Sequence, residues 1–280
     1  MIRDLYIVNN NGEKYNLLDY RQSPTYQVNG FGFEDDTSFL RIGDNYLPLE
    51  EKTVQKTINM TLLFWNDHDK TYDKFVKLAR KAPLKLGLTN DNGTYEIPCR
   101  LKSADKTDKL GYTMHACEVT FIALGNIYKV VNAVSKIPSQ SATGKVYPYT
   151  YNYTYSSDFV NTVVIESDSA KKSPCTLTIY GEAETPIWRH YVNDKIVETG
   201  QYNGTIASGN YLVIDTKSIP YRIEEYNSSG VLVADRYSSC DFSTKRFMYL
   251  YEGQNRFSVS NTGDTSVIVK IEGYIEYDSV

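Results

Sequence analysis

Apolar side chains recur at every second position through much of this chain. Ile58, Met60, Leu62 and Phe64 alternate with Thr57, Asn59 and Thr61. Tyr95, Ile97, Cys99 and Leu101 are separated by polar residues such as Glu96 and Arg100, and Cys117, Val119 and Phe121 by Glu118 and Thr120. Near the end, Val267, Val269, Ile271, Ile275 and Tyr277 share one face while Lys270, Glu272 and Glu276 share the other. A period of two places successive side chains on opposite faces of a strand, so this pattern specifies sheets with one apolar and one wet face. Such sheets are antiparallel.

One stretch keeps a helical period instead. Tyr72, Phe75, Val76 and Ala79 fall on one stripe, Asp67 or Asp69 stands where a cap is needed, and Pro83 closes the run. The spacing predicts a helix over about 69–82. Its charged positions, Asp73, Lys74, Lys77, Arg80 and Lys81, read as a solvated face.

Turn signals set the rest of the organisation. Leu5-Tyr6-Ile7-Val8 leads through Asn11-Gly12 into Glu13–Leu17, and Leu84–Leu88 turns through Asp91-Asn92-Gly93 into the next strand. Residues 1–134 are thus expected to form a β-barrel or β-sandwich domain with one helix. Residues 135–157 are rich in Ser, Pro and Tyr and almost free of charge, with five Tyr between Tyr147 and Tyr155; they read as an extended linker. Residues 158–280 show only short strands, including Val163–Ile165, Leu177–Ile179, Tyr211–Ile214 and Phe257–Val259. Their spacing points to an antiparallel β-sandwich of jelly-roll or lectin (galectin-like) type.

Length and charge narrow the function. The 280 residues suffice for two cores. With 30 Lys and Arg against 34 Asp and Glu, and no basic run, the chain is not built to grip a phosphate backbone. A protein that only encloses nucleic acid would escape that argument. Met1–Tyr6 lacks the charged-then-apolar pattern of a signal peptide, and no apolar run approaches the ~20 residues that span a bilayer, so no membrane insertion is expected. Cys99, Cys117, Cys175 and Cys240 form no CxxC pair and read as buried free thiols, with disulfides or metal ligation as alternatives.

Catalytic motifs are missing: no nucleophile elbow, HExxH, phosphate loop or dinucleotide fingerprint is present, and no cofactor is expected. Gly30-Phe31-Gly32 reads as turn glycines. His68, His115 and His190 are far apart in sequence and read as packing or surface residues, not metal ligands. Glu34-Asp35-Asp36 lacks the spacing of a calcium loop. Trp188, with Tyr191 and Tyr202, could stack on a glycan, although a Trp between two sheets is as common. A glycan hydrolase would need only two carboxylates brought together by the fold.

The order of these elements resembles one family. Asn11-Gly12, Tyr15-Asn16-Leu17-Leu18-Asp19, Gly30-Phe31-Gly32, the strand at Ile58–Phe64 and the helix before Pro83-Leu84-Lys85-Leu86 follow one another as in the distal tail proteins of long-tailed bacteriophages that infect Gram-positive bacteria. The Tyr147–Tyr155 segment, Ser173–Gly181, Pro186-Ile187, Leu212–Asp215 and Glu252–Asn255 continue the match. Thr185 departs from it, because Asn is expected before Pro186.

The resemblance implies a virion protein at the distal end of the tail, assembled in the host cytoplasm. Its N-terminal domain would close a homo-oligomeric, hexameric ring, with a lectin-like sandwich outside. The ring would join the tail tube protein to the tail-tip protein, dock receptor-binding or baseplate proteins, and let DNA pass. Strands within residues 1–60 are the expected ring interface, with Ile2, Leu5 and Tyr6 as its first candidates.

Overall fold

The computed structural model describes residues 4–21, 23–34, 36–52, 54–65, 67–109, 114–137, 162–263 and 265–280. The chain divides into two compact units, one of residues 1–129 with 277–280 and one of residues 130–276.

Unit 1 contains β1 (Asp4–Val8), β2 (Lys14–Asn16), β3 (Thr25–Asn29), β4 (Asp36–Ile42), β5 (Asn45–Lys52), β6 (Thr57–Trp65), α1 (His68–Ala79), β7 (Leu84–Asn90), β8 (Gly93–Lys109) and β9 (Met114–Ala123). The division falls within β10 (Ile127–Ile137), which includes residues 135–137 of the expected linker. Residues 138–157 of that linker, with Tyr147–Tyr155, lie outside the described residues.

The strands of unit 1 pair antiparallel in the order β2-β1-β7-β8-β9-β6-β3, and Tyr128 of β10 pairs with Glu96 of β8. The path stays open, with β2 and β3 at its ends among the described residues, so this domain is not a closed barrel. The alternation in β6 sets its register against β9: Ile58 faces Phe121, Met60 faces Val119 and Leu62 faces Cys117. All six are buried, as an apolar face over a core requires.

Helix α1 closes this core with Phe75 and Ala79. Phe64 meets Tyr72 edge-on and tilts against Phe75, which also meets Tyr15 edge-on. Asp67 stands at the N-cap with φ 56°, and its side chain makes no capping bond. Its carboxylate instead takes Lys70 at 3.2 Å. Gly30 adopts φ +104°, and a Cβ there would run into the Thr57 carbonyl. This close approach explains the glycine in Gly30-Phe31-Gly32.

Unit 2 is an antiparallel sandwich of two main sheets. One runs β19 (Leu232–Asp235), β18 (Arg222–Tyr226), β17 (Tyr211–Asp215), β12 (Ser173–Tyr180) and β22 (Val267–Tyr277). The other runs β11 (Thr162–Ser167), β21 (Gly253–Ser260), β14 (Ile187–Val192) and β15 (Lys195–Gln201). Short β13 (Ala183–Glu184) pairs with β16 (Thr205–Ile206), and β20 (Tyr249–Leu250) pairs with β12. Leu177, Ile179, Leu212, Ile214, Val269 and Ile271 of the first sheet are buried, as are Ile165, Trp188, Phe257 and Val259 of the second.

The four cysteines are buried free thiols. Burial pushes the Cys99 and Cys117 thiols up to about 12 and Cys240 up to about 11. Among the described residues, no helix is long and apolar enough to cross a membrane.

Candidate functional site

Of the residues expected at the ring interface, Leu5 and Tyr6 lie among the described residues. Ile2 lies outside the described residues. Leu5 is fully buried in the core of unit 1, because the alternation in β1 turns it inward with Ile7. Tyr6 lies across Gly87 of the facing strand, where a Cβ would collide with its ring. Lys14 Nζ covers that ring at 3.6 Å from its centre. Burial, then the Glu96 charge, raises the pKa of the Tyr6 hydroxyl.

The glycan residues need a similar correction. Trp188 is 1 % exposed. Its ring lies over Gly200, and its Nε1–H donates to the Arg246 carbonyl at 3.0 Å. Tyr202 is also buried, while Tyr191 is half-buried. Trp188 and Tyr202 therefore have no free face for a sugar.

Asp35 and the side chain of Asp36 lie outside the described residues, and Glu34 is exposed. His190 is buried in a polar network of unit 2, but His68 and His115 meet with ring centres 4.3 Å apart. Their separation in sequence hid this, because the contact depends on where α1 starts relative to β9.

Five exposed apolar side chains of unit 1 lie together on the β4–β5 hairpin, with Tyr20, Phe33 and Leu124 exposed elsewhere. These strands pair only with each other among the described residues. Leu40 faces Leu47 on one side of the ribbon, while Phe39 and Tyr46 lie on the other. Phe39 is 58 % exposed and Tyr46 63 %, and Leu40, Ile42 and Leu47 are also exposed. A two-stranded ribbon is marginal in water alone, and apolar residues on both faces suit a covered position. The Gly43-Asp44 turn, with Gly43 at φ +63°, was the sequence signal that could have revealed this hairpin.

Unit 2 also presents an aromatic group. Tyr221 and Phe247 lie 5.1 Å apart between ring centres, Tyr237 and Phe247 6.0 Å, and Tyr237 and Phe242 5.6 Å. The Arg246 guanidinium stands 4.2 Å from the Phe242 ring centre and donates to the Tyr237 hydroxyl at 2.9 Å. Ile219 and Pro220 join Tyr221, Tyr237 and Phe247 around an open cleft of about 530 Å³.

Comparison with known proteins agrees with this architecture. No curated protein matches the sequence. A chain of the phage P2 baseplate in its activated conformation with Ca superposes with a TM-score of 0.66 at 15 % identity, covering 100 % of both chains. SPP1 Dit (gp 19.1), described as a paradigm of the hub adsorption apparatus in Gram-positive infecting phages, gives 0.63 at 11 % identity. It covers 96 % of this chain and 98 % of its own. At these identities the likeness is one of fold. The family model for the distal tail protein N-terminal domain matches residues 4–124, the stretch that holds β1 to β9 and α1. Residues 4–124 are thus similar in sequence to a distal tail protein N-terminal domain, and the whole chain to phage baseplate proteins in fold.

Proposed function

We propose that this protein is a non-catalytic hub of a phage tail tip, in which six copies close a ring through unit 1. The ring joins the tail tube protein above to the tail-tip protein below and leaves an opening through which DNA passes. Unit 2 docks receptor-binding or other baseplate proteins. What supports this is the match of residues 4–124 to the distal tail protein N-terminal domain. The β4–β5 hairpin supplies the contact: copies arranged head to tail bury its apolar faces against a neighbour. The absence of a basic run fits a channel that does not hold DNA.

Light scattering on a size-exclusion column tests the reading. The expected particle is about 190 kDa, six times 31.9 kDa. Leu40→Lys with Leu47→Lys should reduce it to single chains with an unchanged far-ultraviolet spectrum. A ring that persists in that variant sinks the hairpin assignment.

A second reading has unit 2 binding host-wall glycans. Its support moves from Trp188 to the exposed Tyr221, Tyr237 and Phe242 beside Arg246. Binding on a glycan array that disappears in Phe242→Ala would favour it. A glycan hydrolase would release reducing sugar from purified cell wall.

A further inference from the structure

We infer that His68, Asp69 and His115 form a binding site for a borderline divalent transition-metal ion such as Zn²⁺, tying the first turn of α1 to β9. His68 is the first residue of α1, Asp69 follows it, and His115 is the second residue of β9, opposite Phe64 in the ladder with β6. The two imidazole rings meet edge-on at 70°. His68 Nε2 lies 3.4 Å from Asp69 Oδ2, and His115 Nε2 lies 3.8 Å from Asp69 Oδ1. One ligand atom from each residue can be chosen so that all three lie within 4.8 Å of one another.

Tetrahedral bonds of about 2.0–2.1 Å place ligand atoms roughly 3.3 Å apart, so the three groups close by up to about 1.5 Å when they take an ion. His68 Nε2 is buried and makes no hydrogen bond, which leaves a polar atom for an ion to satisfy. Lys106 and the two imidazoles hold the Asp69 carboxyl below its ordinary range, with the Lys106 hydrogen bond the largest cause.

The donor set selects the ion. Two imidazole nitrogens and one carboxylate oxygen suit Zn²⁺ and its neighbours, whereas Ca²⁺ and Mg²⁺ want an all-oxygen shell. Three protein ligands leave a fourth position for water. Coordination uses neutral imidazole nitrogen, so any imidazolium proton is released to solvent as the metal–nitrogen bond forms.

Lys106 is the competitor. Its Nζ sits 2.9 Å from Asp69 Oδ1 and 4.3 Å from the centre of the Tyr72 ring. Asp69, 63 % exposed at its side chain, can turn from the ammonium toward the imidazoles.

Calorimetric titration of the EDTA-stripped full chain with ZnCl₂, and separately with CaCl₂, tests the site. One Zn²⁺ per chain and no Ca²⁺ heat are expected. Asp69→Ala, at an exposed position, should weaken Zn²⁺ by more than about tenfold, as should His68→Gln. Lys106→Met should bind more tightly, a gain that a structural role for these residues would not produce. Co²⁺ should give the visible bands of a tetrahedral nitrogen and oxygen site. No Zn²⁺ uptake, uptake unchanged in Asp69→Ala and His68→Gln, or a Co²⁺–thiolate band from cysteine would each overturn the assignment.

Discussion

His190 Nδ1 stands 3.0 Å from Glu198 Oε2, with the imidazole fully buried and the carboxylate nearly so. Asn255 orients the ring. Its Nδ2 donates to the Tyr251 and Gly253 carbonyls, so its Oδ1 must accept, and His190 Nε2–H supplies that bond at 3.0 Å. Glu198 also accepts the Tyr249 amide at 3.1 Å and the Tyr251 hydroxyl at 2.9 Å. Burial, followed by that bond to Glu198, pushes the Tyr251 hydroxyl up to about 12. The carboxylate is thus spent on structure. Glu198→Ala should cost about 3–5 kcal/mol in urea unfolding, the range for losing one partner of a buried pair. A loss below about 1 kcal/mol would show that the network is not coupled.

The Trp188–Gly200 pair gives a second expectation. The indole occupies the space a Cβ at position 200 would need, and both residues lie on paired strands of one sheet. Gly200→Ala should destabilise unit 2 by about 1–3 kcal/mol, the usual cost of overpacking. Thermal unfolding followed by near-ultraviolet circular dichroism reports it, and an unchanged midpoint would contradict the packing described.

Thr185 stands where the resemblance to distal tail proteins implies Asn, and its backbone shows what a threonine costs there. It sits at φ 45°, and its N–H donates to the Gly204 carbonyl at 2.8 Å. β-Branched residues are unfavourable in this left-handed region, while Asn tolerates it. Thr185→Asn should therefore raise stability by about 0.5–1 kcal/mol in urea unfolding. A fall in stability would mean that the threonine side chain contributes more than the backbone loses.

The buried thiols predict a chemical and a pH response. Native protein at pH 8 should react with Ellman's reagent only as fast as it opens, and all four cysteines should react once it is unfolded. Because folding raises Cys99 and Cys117 from 9.0 to about 12, their contribution is fully present below pH 9 and is lost as the pH rises toward 12. A denaturation midpoint that stays flat across that window would contradict it.

The sequence disclosed the strands because a half-buried sheet writes its period directly, as Ile58 to Phe64 show. The helix was equally legible, apart from its end at Ala79 instead of residue 82. Alternation names which side chains share a face but not which face is covered. Leu5 and Tyr202, offered as contact residues, belong to the core, as does Trp188, for which a surface and a place between sheets were both open. The β4–β5 hairpin was obscured for the opposite reason, since apolar residues on both faces blur the alternation. The meeting of His68 with His115 is tertiary, and no local pattern announces it.

Unit 1 takes its residues from two separated parts of the chain. Tyr277 meets Tyr95 edge-on with ring centres 5.3 Å apart, the Val280 N–H donates to the Phe31 carbonyl at 3.2 Å, and Lys56 Nζ donates to the Asp278 carbonyl. A single cut after residue 129 therefore cannot release this unit whole, because it leaves residues 277–280 on the other fragment. A minimal version of this unit has to be built as a circular permutant or a two-chain complementation system, with the closing tetrapeptide restored as a separate segment.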